Sequence, residues 1–225
     1  MVTECCLSGF RWPGTPTGRE GKIVKNDTYI TGNHEKVAIL VVADLFGYTF
    51  TNTRLLSDFY AASTPATVYV PDFFGGEVFD PAIVRNPGRW NEIDLEAWSK
   101  RNAKGVRWEE LKAVAKELKG TYERSLFRLG AAGEGLCDCI STAHPTWFTK
   151  AEIDDVAFTP ELKTYANEVI PTKGMPYDYQ YFPGVEHSFA TRGNLEDERE
   201  RRAAERTKRA QVGWMREWLR GADGQ

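Results

Sequence analysis

The sequence predicts an α/β domain with a mostly parallel central sheet flanked by helices. Residues 37–42 (VAILVV) and 66–70 (ATVYV) are aliphatic runs rich in β-branched residues, typical of strands buried on both faces of a parallel sheet. Between these runs, residues 52–62 place apolar side chains at helical spacing after Asn52, a residue type that is favoured as an N-cap. Together they predict a strand, helix, strand unit.

The alternation of strands and helices continues through the rest of the chain. Residues 92–118 carry two helical patterns, and residues 195–220 form an amphipathic pattern that predicts a closing helix. The remaining predicted elements are strands at 125–130, 136–142 and 177–182 and a helix at 160–170. We expect one domain over residues 1–225, with residues 1–34, which are rich in glycine and proline, as an irregular N-terminal arm.

Composition narrows the classes of function. The net charge of -3 gives no field that would gather nucleic acid, and no apolar run reaches the roughly twenty residues of a membrane span. The four cysteines at positions 5, 6, 137 and 139 lack the spacing of a zinc site, and no phosphate-binding glycine motif is present. We therefore expect a cytoplasmic protein with reduced thiols and a small-molecule ligand, without a metal or cofactor.

Candidate site residues follow the predicted strands, because sites in open α/β sheets lie at the carboxyl ends of the strands. Asp44 follows the first run, and Asp72 and Glu77 follow the second. His187 and Arg192 follow residues 177–182. A histidine in such a loop could serve as a general base, or could hydrogen-bond to the backbone and stabilise the loop.

The acidic residues and the other histidines have alternative interpretations. Asp44 could orient a base or cap the following helix, and the Asp72 and Glu77 pair is explained better by a turn and a solvated charge than by paired catalytic carboxylates. We expect His144, which precedes a proline, to be structural, and His34 to be exposed.

Four stretches carry a resemblance to a known family. They are VVADLFGYTFTNTRLLSDFYA (41–61), TVYVPDFFGGEVF (67–79), STAHPTWFTKAEID (141–154) and YDYQYFPGVEHSFATRG (177–193). In this order they closely resemble the dienelactone hydrolase family, particularly its fungal members. The resemblance spans almost the whole chain and implies an α/β-hydrolase fold that hydrolyses lactones or small esters through a Cys-His-Asp triad.

The resemblance implies roles for individual residues. His187 matches the catalytic histidine of the family, and Asp44 matches the acidic position beside the oxyanion loop. The backbone N–H of Leu45 would then help to form the oxyanion hole. Arg192 resembles an arginine that follows the histidine in fungal members, where it is expected to meet a substrate carboxylate.

Two parts of the family pattern are missing. A G-x-C-x-G elbow should follow residues 129–133 (LGAAG), and a strand ending in the triad aspartate should precede residues 158–162. Cys137 could act as a thiolate nucleophile activated by His187, but its neighbours fit a buried strand better than a strained corner. The sequence therefore predicts a hydrolase impaired by deletions of some fold elements, or a binding or scaffold protein that keeps the fold without catalysis.

Overall fold

The computed structural model of the chain describes residues 9–84, 86–128, 136, 138–141, 164, 167–173, 176–178, 180, 182–185 and 188–219. The predictions for His187, Cys137 and His144 fall outside these residues, as do the two sequence gaps around 129–135 and 155–158.

Six described strands form one sheet in the order β1-β2-β4-β3-β5-β6. Strands β3 to β6 pair in parallel, whereas the β1 and β2 hairpin joins β4 in antiparallel fashion. The sheet thus has the predicted mostly parallel α/β arrangement. The strands are β1 Arg19–Ile23, β2 Asn26–Thr31, β3 Val37–Val41, β4 Thr67–Pro71, β5 Arg124–Arg128 and β6 Cys139–Ile140.

Helices connect the strands and close the chain, and those predicted at 52–62, 92–118 and 195–220 are confirmed. Short 3-10 helices lie at Pro87–Glu92 and Ile170–Lys173. None of the described helices is long and apolar enough to cross a bilayer. The helices are α1 Thr51–Ser63, α2 Pro81–Val84, α3 Leu95–Arg101, α4 Lys104–Thr121, α5 Phe189–Arg192 and α6 Glu198–Leu219.

Strand β3 lies at the centre of the core and is buried along its whole length. Ile39 belongs to a cluster with Leu56 of α1 and Met215 of α6. Leu40 belongs to a separate cluster with Leu118 of α4. Because successive side chains of a strand point to opposite faces, helices on both sides of the sheet require the continuous aliphatic run that the sequence displays.

The N-terminal arm was predicted as irregular, and this is wrong for its second half, where β1 and β2 form a hairpin at the sheet. Strand β2 reads NDTYIT, with Asn26 and two threonines buried beside Tyr29. A strand whose buried residues are mostly polar has no aliphatic signature, because its place is set by pairing with β4.

The strand predicted at 177–182 is also not found. The described residues of this stretch, 177, 178, 180 and 182, have no strand conformation. Phe182 instead packs against Phe189, with ring centroids 5.2 Å apart. Alternating aromatic residues give the same pattern whether they pair in a sheet or pack their rings against a neighbouring helix.

The hairpin turn between β1 and β2 carries backbone strain at Val24. This residue has φ 54°, although its side chain is β-branched and exposed. A two-residue hairpin turn with a positive φ at its first central position normally has glycine there. We expect Val24→Gly to raise the free energy of unfolding by about 1 kcal/mol, because relief of the strain outweighs the added chain entropy.

Urea unfolding of the purified chain would measure the effect of Val24→Gly. Lys25→Gly is the matched control, because Lys25 occupies the second central position without a positive φ. Only a loss of stability is expected from that control, from the entropy of glycine. A stability of Val24→Gly equal to or below that of the unmodified chain would contradict the assignment of strain.

Candidate active site

The turn after β3 places Asp44 at the carboxyl end of the central strand. The Asp44 carboxylate accepts a hydrogen bond from the Phe46 N–H at 3.1 Å, and its carbonyl accepts one from the Gly47 N–H at 2.8 Å. Gly47 has φ +74°, and a Cβ there would lie 2.0 Å from Val78 Cγ1. Only glycine fits this turn, because any side chain would be strained and would collide with Val78.

Leu45 lies within the same turn. Its carbonyl accepts a hydrogen bond from Phe79 N–H at 3.1 Å. The next two N–H groups, of Phe46 and Gly47, are already bound to Asp44. Within the described residues, the Leu45 N–H is thus one of the donors of this turn that no acceptor occupies. An uncommitted backbone N–H at a strand end has the chemistry that an oxyanion hole requires.

A second segment, which begins directly after His187, lies next to this turn. Ser188 is buried with φ 74°, and its carbonyl accepts hydrogen bonds from the N–H groups of Thr191 at 3.0 Å and Arg192 at 2.8 Å. Helix α5 begins at the following residue. A serine in the left-handed region is uncommon and marks a sharp bend in the chain.

Arg192 joins the two segments. Its Nε lies 3.5 Å from Asp44 Oδ2, and its guanidinium carbon lies 4.3 Å from the centroid of the Phe46 ring. Its Nη2 donates to Ser188 Oγ at 2.5 Å. The side chain is only 4% exposed, whereas that of Asp44 is 35% exposed. The structure therefore brings together two of the residues singled out in the sequence, Asp44 and Arg192, as a buried arginine beside a partly solvated carboxylate.

Asn52 holds the N-terminal strap, defined here as residues 9–12, over this segment. Asn52 Nδ2 donates to the carbonyls of Phe10 at 2.7 Å and Thr191 at 3.0 Å, and its Oδ1 accepts from Trp12 N–H at 2.8 Å. The predicted N-cap role of Asn52 is wrong, since α1 begins one residue earlier, at Thr51, and Phe50 is its N-cap. The Asn52 amide instead hydrogen-bonds to backbone groups that are distant in the chain. Local sequence does not reveal these contacts.

Further contacts fix the strap. The Phe10 N–H donates to the Arg192 carbonyl at 2.9 Å, and Trp12 Nε1 donates to the Gly193 carbonyl at 3.0 Å. Lys208 Nζ lies 4.5 Å from the centroid of the Trp12 ring. Burial lowers the pKa of the Lys208 ammonium. The strap thus covers the backbone and side chain of Arg192.

An aromatic cluster packs beside the Asp44 turn. It combines residues of the turn with residues of the covering segment, defined here as residues 73–102. Leu45 packs at its edge. The buried members of the cluster are Phe46, Phe50, Phe79 and Trp98, with Phe74, Trp90, Ile93 and Leu95 partly buried against them.

The carboxylates after β4 do not form a pair. Asp72 accepts hydrogen bonds from the N–H groups of Phe74 at 2.9 Å and Gly76 at 2.6 Å, which is a turn role. Glu77 pairs with Arg101 at 3.0 Å, and this contact lowers the pKa of the Glu77 carboxyl. The interpretation of a turn with a solvated charge is therefore confirmed.

The remaining candidates divide between described and undescribed residues. His34 is half-buried, and its Nδ1 accepts the N–H of Val37 at 3.0 Å, so it supports a turn. Cys139 is buried in β6, as predicted, whereas Cys137 and His187 lie outside the described residues. Local sequence carries no signal for the roles of Ser188 and Asn52, since each depends on a contact with Arg192 or its neighbours.

A mostly parallel sheet with helices on both faces, and with charged turn residues at its carboxyl edge, defines an α/β-hydrolase fold. No protein-family model matches the chain. The chain is nevertheless similar over most of its length to curated proteins named dienlactone hydrolase and carboxymethylenebutenolidase homolog, and this similarity supports the resemblance to the dienelactone hydrolase family.

Three of these relatives illustrate the likeness. Dienlactone hydrolase 2 of Gibberella moniliformis is 27% identical, with 96% of this chain and 94% of the relative aligned. Hydrolase tropI of Talaromyces stipitatus is 23% identical over 96% of both chains. The carboxymethylenebutenolidase homolog of Homo sapiens is 28% identical over 83% of this chain and 85% of the relative. The relatives named as hydrolases thus match almost the full length of the chain.

Proposed function

We propose that this protein descends from hydrolases of lactones and small carboxylic esters, and that its own catalysis is impaired. The observation that carries the proposal is the contact between Arg192 and Asp44, which joins the turn after β3 to the segment beginning at Ser188. His187 directly precedes Ser188, and adjacent Cα atoms are about 3.8 Å apart. The proposal that His187 serves this edge of the sheet rests on its place in the sequence, directly before Ser188.

In an unimpaired hydrolase of this kind, the thiolate of an elbow cysteine adds to the carbonyl carbon of the ester or lactone. The Leu45 N–H would donate a hydrogen bond to the oxyanion that forms. The C–O bond to the alkoxide then breaks to leave a thioester, and water hydrolyses the thioester with His187 as general base. Asp44, held beside Arg192, would supply the negative charge next to this turn.

The impairment is proposed from the sequence. No G-x-C-x-G elbow follows residues 129–133, and no triad aspartate is identifiable before residue 158. The alignment with hydrolase tropI runs over 254 residues, more than the 225 residues of this chain, so it contains gaps on the side of this chain. Loss of a triad member typically lowers the rate by several orders of magnitude.

Hydrolysis of p-nitrophenyl acetate by the purified chain tests this function. We expect a rate scarcely above that of free imidazole, lowered further by His187→Ala and unchanged by Cys137→Ser, because Cys137 lacks an elbow. His34→Ala is the matched control, since this histidine supports the turn before β3, whereas Asp44 follows β3 at its other end. Rapid hydrolysis that Cys137→Ser abolishes would contradict the impairment and make Cys137 the nucleophile.

A second candidate function is a binding or scaffold protein that keeps the fold without catalysis. The missing elbow favours it for this chain. The p-nitrophenyl acetate assay distinguishes the two functions, because a binding protein without catalysis would lose no rate of hydrolysis when His187 is replaced. Sequencing of the transcript would show whether a segment encoding the elbow exists.

A further inference from the structure

We propose that this site takes neutral aromatic esters or lactones and excludes ligands that carry a carboxylate, an inference that rests on the proposed hydrolase function. It departs from the expectation that Arg192 meets a substrate carboxylate. Three features carry the inference, namely the commitment of Arg192, the charge that remains at the turn, and the apolar surroundings.

The guanidinium of Arg192 already has contacts within the protein on several sides. Asp44, Ser188 and the Phe46 ring contact its guanidinium. Its 4% exposed side chain is covered by the strap, where Gly9 lies so close that an added Cβ would be 2.8 Å from Arg192 Cβ. An arginine can bind an incoming carboxylate only if its donors are accessible. These contacts remove that access.

The charge that faces solvent at this turn is negative. Asp44 is 35% exposed, nearly nine times as much as the arginine with which it pairs. A ligand carboxylate approaching the Arg192 guanidinium from solvent would therefore meet the Asp44 carboxylate first. The two carboxylates would repel each other, and the burial of a second carboxylate adds a desolvation cost.

The covering segment offers rings in place of cations. Its described cations, Arg89, Lys100 and Arg101, are paired with Glu92, Glu96 and Glu77 respectively. Beside the turn lie the aromatic residues of the cluster, where the Phe74 and Trp98 ring centroids are 5.0 Å apart. Phe74 and Trp90 are the partly buried rings of this cluster, and the faces of such rings favour contact with a flat apolar ligand over contact with an anion.

Isothermal titration calorimetry with two matched lactones tests the inference. Coumarin-3-carboxamide and coumarin-3-carboxylate share the ring, the lactone and the size of the substituent, and they differ in charge. We expect the full chain to bind the amide at least tenfold more tightly than the carboxylate. Equal binding, or tighter binding of the carboxylate, would overturn the inference.

The Asp44→Asn variant separates the contribution of the Arg192–Asp44 pair to ligand preference from the contribution of the aromatic rings. This change keeps an acceptor for the Phe46 N–H and removes the negative charge beside Arg192, so the preference for the amide should fall at least fivefold. Asp72→Asn is the matched control, since Asp72 accepts the equivalent Phe74 N–H in the turn after β4. An equal fall in both variants would contradict the assignment to Arg192.

Different experimental results would overturn the inference and the proposed function. If Asp44→Asn does not fold, the comparison of the two ligands with the unmodified chain still decides. Binding of neither ligand at its solubility limit overturns the inference, whatever the ester assay gives. Binding of the amide without opening of its lactone supports the inference and leaves hydrolysis to the p-nitrophenyl acetate assay.

Discussion

Insertion of a family-like elbow segment after Gly133, together with a strand ending in aspartate before Phe158, is expected to raise ester hydrolysis by orders of magnitude. The elbow would supply a thiolate, and the aspartate would hold the histidine in its productive orientation. The turn after β3 already offers the Leu45 N–H as the proposed oxyanion donor. Initial rates with p-nitrophenyl acetate would measure the gain, and mass spectrometry would detect an acyl adduct on the inserted cysteine.

The control for this experiment is the same insertion with alanine in place of the elbow cysteine. It should match the unmodified chain, because it restores the fold elements without the nucleophile. A folded insertion variant whose rate stays at the level of its alanine control would contradict the deletion hypothesis. That result would favour the non-catalytic binding function.

Replacement of Asn52 by alanine is expected to lower the free energy of unfolding by about 3 kcal/mol. Asn52 is only 1% exposed, and its amide satisfies the Phe10 carbonyl, the Thr191 carbonyl and the Trp12 N–H. The truncation leaves these backbone groups without their partner, and the better helix propensity of alanine offsets only a few tenths of a kcal/mol. Urea unfolding would measure the loss.

Two further variants make this test specific. Asn33→Ala is the matched control, because Asn33 is exposed, and its effect should stay within about 0.5 kcal/mol. Asn52→Asp keeps the acceptor for Trp12 N–H but loses both donors, so it should be about as destabilising as alanine. A loss below 1 kcal/mol in Asn52→Ala would mean that the strap contributes little to stability.

Several elements could be predicted from local pattern alone. Helices α1, α4 and α6 carry apolar residues at helical spacing, and strand β3 is a short aliphatic run rich in β-branched residues. The predictions for the residues of β2 and for the stretch 177–182 were wrong for opposite reasons. Polar residues of β2 are buried by pairing with β4, and Phe182 of the second stretch packs against Phe189 without strand conformation.

The sequence by itself determined the fold class, the strand-end position of Asp44 and the resemblance to a family, because buried parallel strands and long ordered motifs leave a direct record in residue order. Only the tertiary structure decided what Arg192 and Asn52 do. Both residues are polar side chains whose partners lie far away in the chain, and local sequence does not encode which distant groups need a hydrogen bond. Burial forces each of these groups to find a partner, and the packing of the strap, α1 and α5 selects which one.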